Sequence, residues 1–321
     1  MSEFIGRKVA VGLAKEATRG TAVTPAFWVR HLGANFMDQV EKMNNESAMG
    51  VVAKINDSAT VKEWAEGTIE GKVTVDTFGL ILLGMFGTVS SVANGSGYDH
   101  TATISESSTP TALTTTIVDP NEDLAHALTT LSSLEVSAEV GDYVKFSANA
   151  IAKKGASASS TVAYTDETEF TAAHMSLKLV NEGTAPSTGT AIEVKSAKLN
   201  INREVSPYFA FGSTEMNDTN TGAVDVTGEM VLRYTNTDYK DLWRADTKQA
   251  MELKMENTNV DLGGGLNPSL TFTLPKVSLS EWSRSDDMDN VIEQTVGFQG
   301  QFDATTAKLI EAVLTNGTAS Y

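Results

Sequence analysis

The sequence has no cysteine among its 321 residues. That excludes disulfides, thiolate metal sites and cysteine nucleophiles, and it leaves stability to packing, backbone ladders and assembly. Histidine is almost as scarce. His31, His100, His126 and His174 stand apart, without the spacing of a zinc site. Long apolar runs are also missing: the most hydrophobic stretch, Phe78–Gly87, is about half of the roughly 20 residues needed to cross a bilayer. Met1–Arg7 lacks the charged-then-apolar profile of a secretory leader, so the expectation is a soluble product made in the cytosol. Positive charge is in deficit as well, with 24 Lys and Arg against 41 Asp and Glu, a net charge of −17. Proteins that grip nucleic acid by its phosphates need clustered basic residues, and this chain shows the reverse. The acidity serves solubility, and it also suits a surface past which DNA must slide without sticking.

Catalytic signatures are absent in the same way. The run Gly67-Thr-Ile-Glu-Gly71-Lys72 is one residue short of a phosphate loop, sits inside a strand pattern, and is followed by Val73 where a hydroxyl is required. There is no Gly-x-Ser-x-Gly elbow. Glu135 and Glu139, taken as a carboxylate pair on one strand face, would stand roughly 13 Å apart at strand rise. That is wider than the roughly 5–9.5 Å of glycosidases. Asp286, Asp287 and Asp289 form an acidic turn that lacks the Gly and distal Glu of an EF-hand loop, and it reads as a solvated turn; calcium there is left open. No enzyme, cofactor or metal site is expected.

What the chain does have is period-two alternation. Ile69, Gly71, Val73 and Val75 alternate with Thr68, Glu70, Lys72 and Thr74, and Val226, Gly228, Met230 and Leu232 alternate with Asp225, Thr227, Glu229 and Val231. Further strands are expected at Ala26–Phe36, His100–Ser105, Leu113–Val118, Leu131–Val140, Tyr143–Ile151, His174–Val180, Ala191–Arg203, Met251–Met255, Leu270–Leu279 and Ile292–Phe302. Three short helices are expected: Phe78–Phe86, Asp238–Thr247 with Tyr239, Leu242 and Trp243 on one face, and Ala304–Thr315 with an Ala307, Ile310, Leu314 stripe. The segment Gln39–Glu63 lacks clear alternation and reads as a long loop, which inside a compact domain is usually functional.

The order of elements occurs twice. Glu16 and Gly20-Thr21-Ala22 precede an extended segment, a loop, a strand around Gly71 and the helix from Phe78. Glu182 and Gly189-Thr190-Ala191 precede the same succession, ending in the strand around Gly228 and the helix near Tyr239. Residues 1–155 and 167–321 are therefore expected to be two similar domains, joined by a flexible linker at 156–166.

The opening Gly12-Leu-Ala-Lys-Glu-Ala-Thr-Arg-Gly-Thr-Ala-Val-Thr-Pro25, leading into Phe27-Trp28-Val29, resembles that of siphophage tail tube proteins. Glu70-Gly-Lys-Val-Thr-Val-Asp76 and the short apolar helix continue the resemblance, which covers the first 90 residues best. It implies a mainly β fold. Each of two tandem tail-tube-like units would be a β-sandwich or open barrel with one short flanking α-helix, and their sheets would join into a continuous inner β-barrel. It further implies a structural virion protein, assembled in the bacterial host cytoplasm, whose rings stack into the tail tube. The tube would enclose a tape measure protein, meet tail terminator and distal tail or baseplate proteins, and later pass phage DNA without binding it. Rings in that family are commonly six copies of one tube domain, so a duplicated chain implies three chains per ring, against an alternative of six. The lumen would be lined by Glu66, Thr68, Glu70, Glu135, Glu139, Asp225, Thr227 and Glu229. Contacts between rings would fall to the arms Met1–Lys8 and Thr315–Tyr321 and to Gln39–Glu63, through Gln39, Asn44, Asn45, Glu46, Lys54, Asn56, Asp57 and Lys62. The alternative is another self-assembling β protein, such as a virion decoration protein or a surface-layer or pilus subunit.

Overall fold

A computed structural model describes residues 5–285 and 288–321. The chain is mainly β, and eighteen strands join one hydrogen-bonded network among the described residues. The first half contributes β1 (Ala10–Lys15), β2 (Phe27–Val29), β3 (His31–Asn45), β4 (Asp57–Lys72), α1 (Phe78–Phe86), β5 (Gly87–Asn94), β6 (Gly97–Ile104), β7 (Leu113–Val118), β8 (Asp123–Glu139), β9 (Lys145–Ala152) and β10 (Ala156–Ser157). The second contributes β11 (Met175–Asn181), β12 (Ala191–Ile192), β13 (Val194–Tyr208), β14 (Asp218–Arg233), α2 (Asp238–Ala245), β15 (Gln249–Glu256), β16 (Ser269–Arg284), β17 (Glu293–Gly300) and β18 (Glu311–Asn316). β10 occupies the first two residues of the expected linker and pairs with β8.

The pairings of the second half repeat those of the first, down to their irregularities. β3 opposes β4 from His31↔Gly71 with a skip after His31; β13 opposes β14 from Val194↔Leu232 with a skip after Val194. β8 opposes β9 with a bulge between Leu131 and Ser133, and β16 opposes β17 with one between Leu279 and Glu281. β7 on β8 and β15 on β16 each carry a single bulge at the start of the shorter strand. β9 also pairs with β4 as β17 does with β14, and β10 with β8 as β18 does with β16. Bulges fix register and bend a strand, so their recurrence is a stronger mark of correspondence than strand count. The first half alone carries the hairpin β5–β6, whose β6 pairs with β18.

These registers align Gly67, rather than Gly71, with Gly228. A Cβ on Gly67 would collide with the Asn35 carbonyl across the β3–β4 hairpin, and one on Gly228 would collide with the Lys198 carbonyl across β13–β14. The two glycines hold the same close approach in the two halves.

The two helices differ in their surroundings. All nine residues of α1 are buried, as befits a helix apolar on every side. Burying each of its Phe, Leu and Ile side chains contributes about 1.5–3 kcal/mol. Its N-terminus is capped from far along the chain. Buried Glu167 accepts hydrogen bonds from the Asp76 and Thr77 amides at 3.0 and 2.8 Å and from Thr77 Oγ1 at 2.6 Å. α2 is amphipathic, with Asp238 and Asp241 in its first turn, and lays Tyr239, Leu242 and Trp243 against the core.

Two sequence expectations fail here. The segment expected as a C-terminal helix is a turn followed by β18. Ile310, Ala312 and Leu314 alternate inward, Ala307 has a φ of 54°, and Asp303 ties the turn by accepting from the Thr305 and Thr306 amides. The long loop at Gln39–Glu63 is mostly hairpin: Gln39, Asn44 and Asn45 lie on β3, and Asp57 and Lys62 on β4, which leaves only 46–56 as the tip. From Lys42 to Thr60 every residue is exposed, so no buried face exists to impose alternation.

Two outcomes are expected. Gly67→Ala and Gly228→Ala should each destabilise the chain by about 1–3 kcal/mol through overpacking, while Gly317→Ala, with open space around it, should be near neutral. Chemical denaturation checks this. Asp76 titrates above the ordinary carboxylate value of 3.8, first because it is buried and then because Glu167 is close. A carboxyl raised on folding contributes stability below its unfolded value and loses it as pH rises through the folded one. Asp76→Asn should therefore raise the melting temperature at neutral pH, and the gain should disappear below about pH 4.

Candidate assembly surface

Strands β3, β4, β9, the C-terminal half of β8, β13, β14, β17 and the C-terminal half of β16 follow one another in a single sheet. The two halves meet where β8 pairs with β13, antiparallel, from Ser133↔Asn202 to Glu139↔Ser196. Because opposed residues share a face, side chains can be followed across the sheet in rows. One row, Ile69, Ala148, Leu134, Ile201 and Val226, is buried throughout and crosses the junction without a break.

The opposite face is polar. One row runs Glu70, Ser147, Glu135, Asn200, Thr227, Gln299, and the next runs Thr68, Asn149, Ser133, Asn202, Asp225. The second row is tied by side-chain bonds: Thr68 Oγ1 to Asn149 Oδ1 at 2.5 Å and Asn149 Nδ2 to Ser133 Oγ at 2.7 Å. Glu66, Glu139 and Glu229 extend the same face, so all eight residues selected from the sequence for a lining lie together on it. Sequence reasoning missed the cations among them. A third row runs Lys72, Lys145, Ser137, Lys198, Glu229, and Lys198 Nζ lies 2.8 Å from Glu135. The face is acidic with a lysine stripe rather than uniformly negative, and only long-range register reveals the stripe.

The sheet ends in two strands with an open side. β3 pairs with β4 and no other strand, and residues Glu281–Arg284 of β16 pair only with β17, among the described residues. Their counterparts by register, β13 and β8, are the two strands that pair with each other at the junction. Exposed edges expose unpaired N–H and C=O groups, which favour addition of another strand.

The two long hairpins end differently. The tip of β13–β14 folds over onto β4: Glu63 N donates to Thr214 O at 2.8 Å, and Met216 N to Glu63 O at 3.1 Å. Thr214 Oγ1 and Lys154 Nζ both donate to the Glu63 carboxylate, and the lysine's hydrogen bond holds that carboxyl below its usual range. Phe209 packs edge-on against Trp64, and Met216 is 1% exposed. The tip of β3–β4, which includes Glu46, Lys54 and Asn56, is exposed along its whole length and carries Met49, Val51, Val52 and Ile55 into solvent.

Among the described residues no group of three or more His, Asp or Glu could hold a metal ion, and no helix is long and apolar enough to cross a membrane. Asp286 and Asp287 of the acidic turn lie outside the described residues, as do Met1–Phe4 of the N-terminal arm. A family profile described as phage tail tube protein matches residues 6–300. Among solved structures, the SPP1 tail tube, a hybrid of solid-state NMR and cryo EM, matches at 12% identity and a TM-score of 0.26. That match spans 45% of this chain and 78% of the other, a likeness too low to argue from. No curated protein matches the chain.

The Lys198–Glu135 ion pair is more than a third exposed on both sides, so solvent screens it. A double-mutant cycle with Lys198→Ala and Glu135→Ala, read by denaturant unfolding, should give a coupling of about 1 kcal/mol or less.

Proposed function

Because the chain belongs to the phage tail tube protein family, a structural family of the virion tail, we propose that three copies close edge to edge into a ring with approximate sixfold symmetry. Residues 1–155 and 167–321 act in this reading as two tandem tube domains, supported by the repetition of every bulge and pairing of the main sheet. One observation carries the proposal. The junction β8·β13 already exists inside the chain, while the counterpart strands β16 and β3 stand at the open edges. Carrying the β8·β13 register over places Asn35 of β3 opposite Ser285 of a neighbour, Met37 opposite Ser283 and Gln39 opposite Glu281. Each new junction then continues the sheet, and the polar rows become rings around a lumen.

In this reading the rings stack into the tube, enclose the tape measure during assembly in the host cytoplasm and let the genome through at ejection. Tail terminator and distal tail proteins would meet the tube at its ends. Glu66, Glu70, Glu135, Glu139, Asp225 and Glu229 repel the passing polyanion, and Thr68 and Thr227 keep the wall polar between them. The lysine stripe is largely compensated by neighbouring carboxylates, Glu135 for Lys198 and Asp142 for Lys145. At physiological salt, repulsion acts within about 8 Å, so it governs DNA close to the wall rather than at the axis.

The mass of one ring is the test. Three chains of 34.2 kDa are expected. Six chains, with the second half projecting outward, would overturn the tandem-domain ring.

A further inference from the structure

The internal junction also specifies how a hairpin tip treats its neighbour. The tip of β13–β14 reaches back over the unit whose β8 its own β13 adjoins, and it seats on Glu63 of β4. By register the counterpart of Glu63 is Val224 of β14, and the counterpart of Lys154 is Phe302. An ion pair in the first half is thus replaced by two apolar side chains in the second. Phe302 is 60% exposed, and with Val224, Ile104 and Leu309 it forms the apolar side of a groove of about 410 Å³ whose other side carries Glu106 and Ser107. Arg203, only 4% exposed, lines the same groove, and its Nε has no hydrogen-bond partner.

The two tips differ in what they carry. The tip that rests on the Glu63–Lys154 pair brings Thr214 and Glu215, whereas the unseated tip 46–56 brings Met49, Val51, Val52 and Ile55. Val52 is fully exposed. The seated tip also buries Met216 and packs Phe209 on Trp64, so both tips bring apolar side chains, and the seat that corresponds to Glu63 in the second half is empty within the chain. Resting on the ring reading above, we infer that the tip 46–56 of one copy seats sideways in the Val224–Phe302 groove of the next copy in the ring. This assigns the tip to contacts within a ring, in place of the contacts between rings expected from the sequence.

Cysteine cross-linking separates the two geometries, because the chain has no cysteine of its own. Val52→Cys combined with Phe302→Cys, both at exposed positions, leaves the fold intact and should form disulfides between chains on mild oxidation of assembled protein. A sideways seat gives a ladder of cross-linked species that stops at the copy number of one ring. That number is read independently from the mass of unoxidised rings, so failure to form rings and failure of the seat are told apart. A ladder that runs on past one ring would mean axial contact and overturn the inference, as would a disulfide within one chain or none at all. Phe302→Asp should raise the protein concentration needed for assembly about tenfold, the scale of one buried interface anchor, with the monomer's melting temperature unchanged. Unchanged assembly would also overturn the inference.

Discussion

A β-sheet edge is a row of hydrogen-bonding groups that water satisfies only partly and another strand satisfies well, and this architecture depends on where such edges are left open. Within the chain the largest sheet solves the problem once, at β8·β13, where an apolar row and a polar row both pass from one half to the other without interruption. It leaves the same problem unsolved at β3 and β16. The composition is consistent with that division. A chain without cysteine cannot staple its edges with disulfides, and a net charge of −17 sets copies of it to repel one another.

Asymmetry between the halves is concentrated where they touch. The first half alone has the β5–β6 hairpin, and β18 of the second half pairs with it while Tyr321 packs against Gly79 of α1. Tyr321 also donates to the Asp76 carbonyl, next to the helix terminus that Glu167 caps. Arg19 bonds to Asp218 and Thr219 at the start of β14. α1, apolar all round, sits under these contacts, whereas α2 keeps one wet face. The halves are similar in frame and different in trim, and the trim binds one to the other.

Much of this was legible from the residues alone. Alternation located β4, β14 and the polar face, because burial on one side imposes period two. The apolar run at Phe78 and the Tyr239, Leu242, Trp243 stripe gave both helices. The misreadings have a common origin in local patterns that long-range partners override. Ala307, Ile310 and Leu314 fit a helical stripe, yet Ile310, Ala312 and Leu314 fit a strand equally well, and pairing with β16 and β6 decides between them. The solvated shaft of the β3–β4 hairpin has no core to write a pattern into it. Gly71 matched Gly228 by eye, but bulge positions, which leave no mark in composition, align Gly67 instead. The lysine stripe and the seat of Phe209 and Met216 arise only when strands distant in sequence are set side by side.

In the tandem-domain reading, carrying two units on one chain has a kinetic consequence as well as a geometric one. A junction made inside the chain forms during folding, at an effective concentration set by the tether rather than by the number of subunits in the cell. If every second junction of a closed ring is of that kind, nucleation depends on a lower power of subunit concentration than in a ring of single-unit chains. Tubes of such a protein would begin to grow earlier in synthesis, when copies are still few, and the unassembled chains needed for one ring would expose half as many edges at which the wrong strand could add.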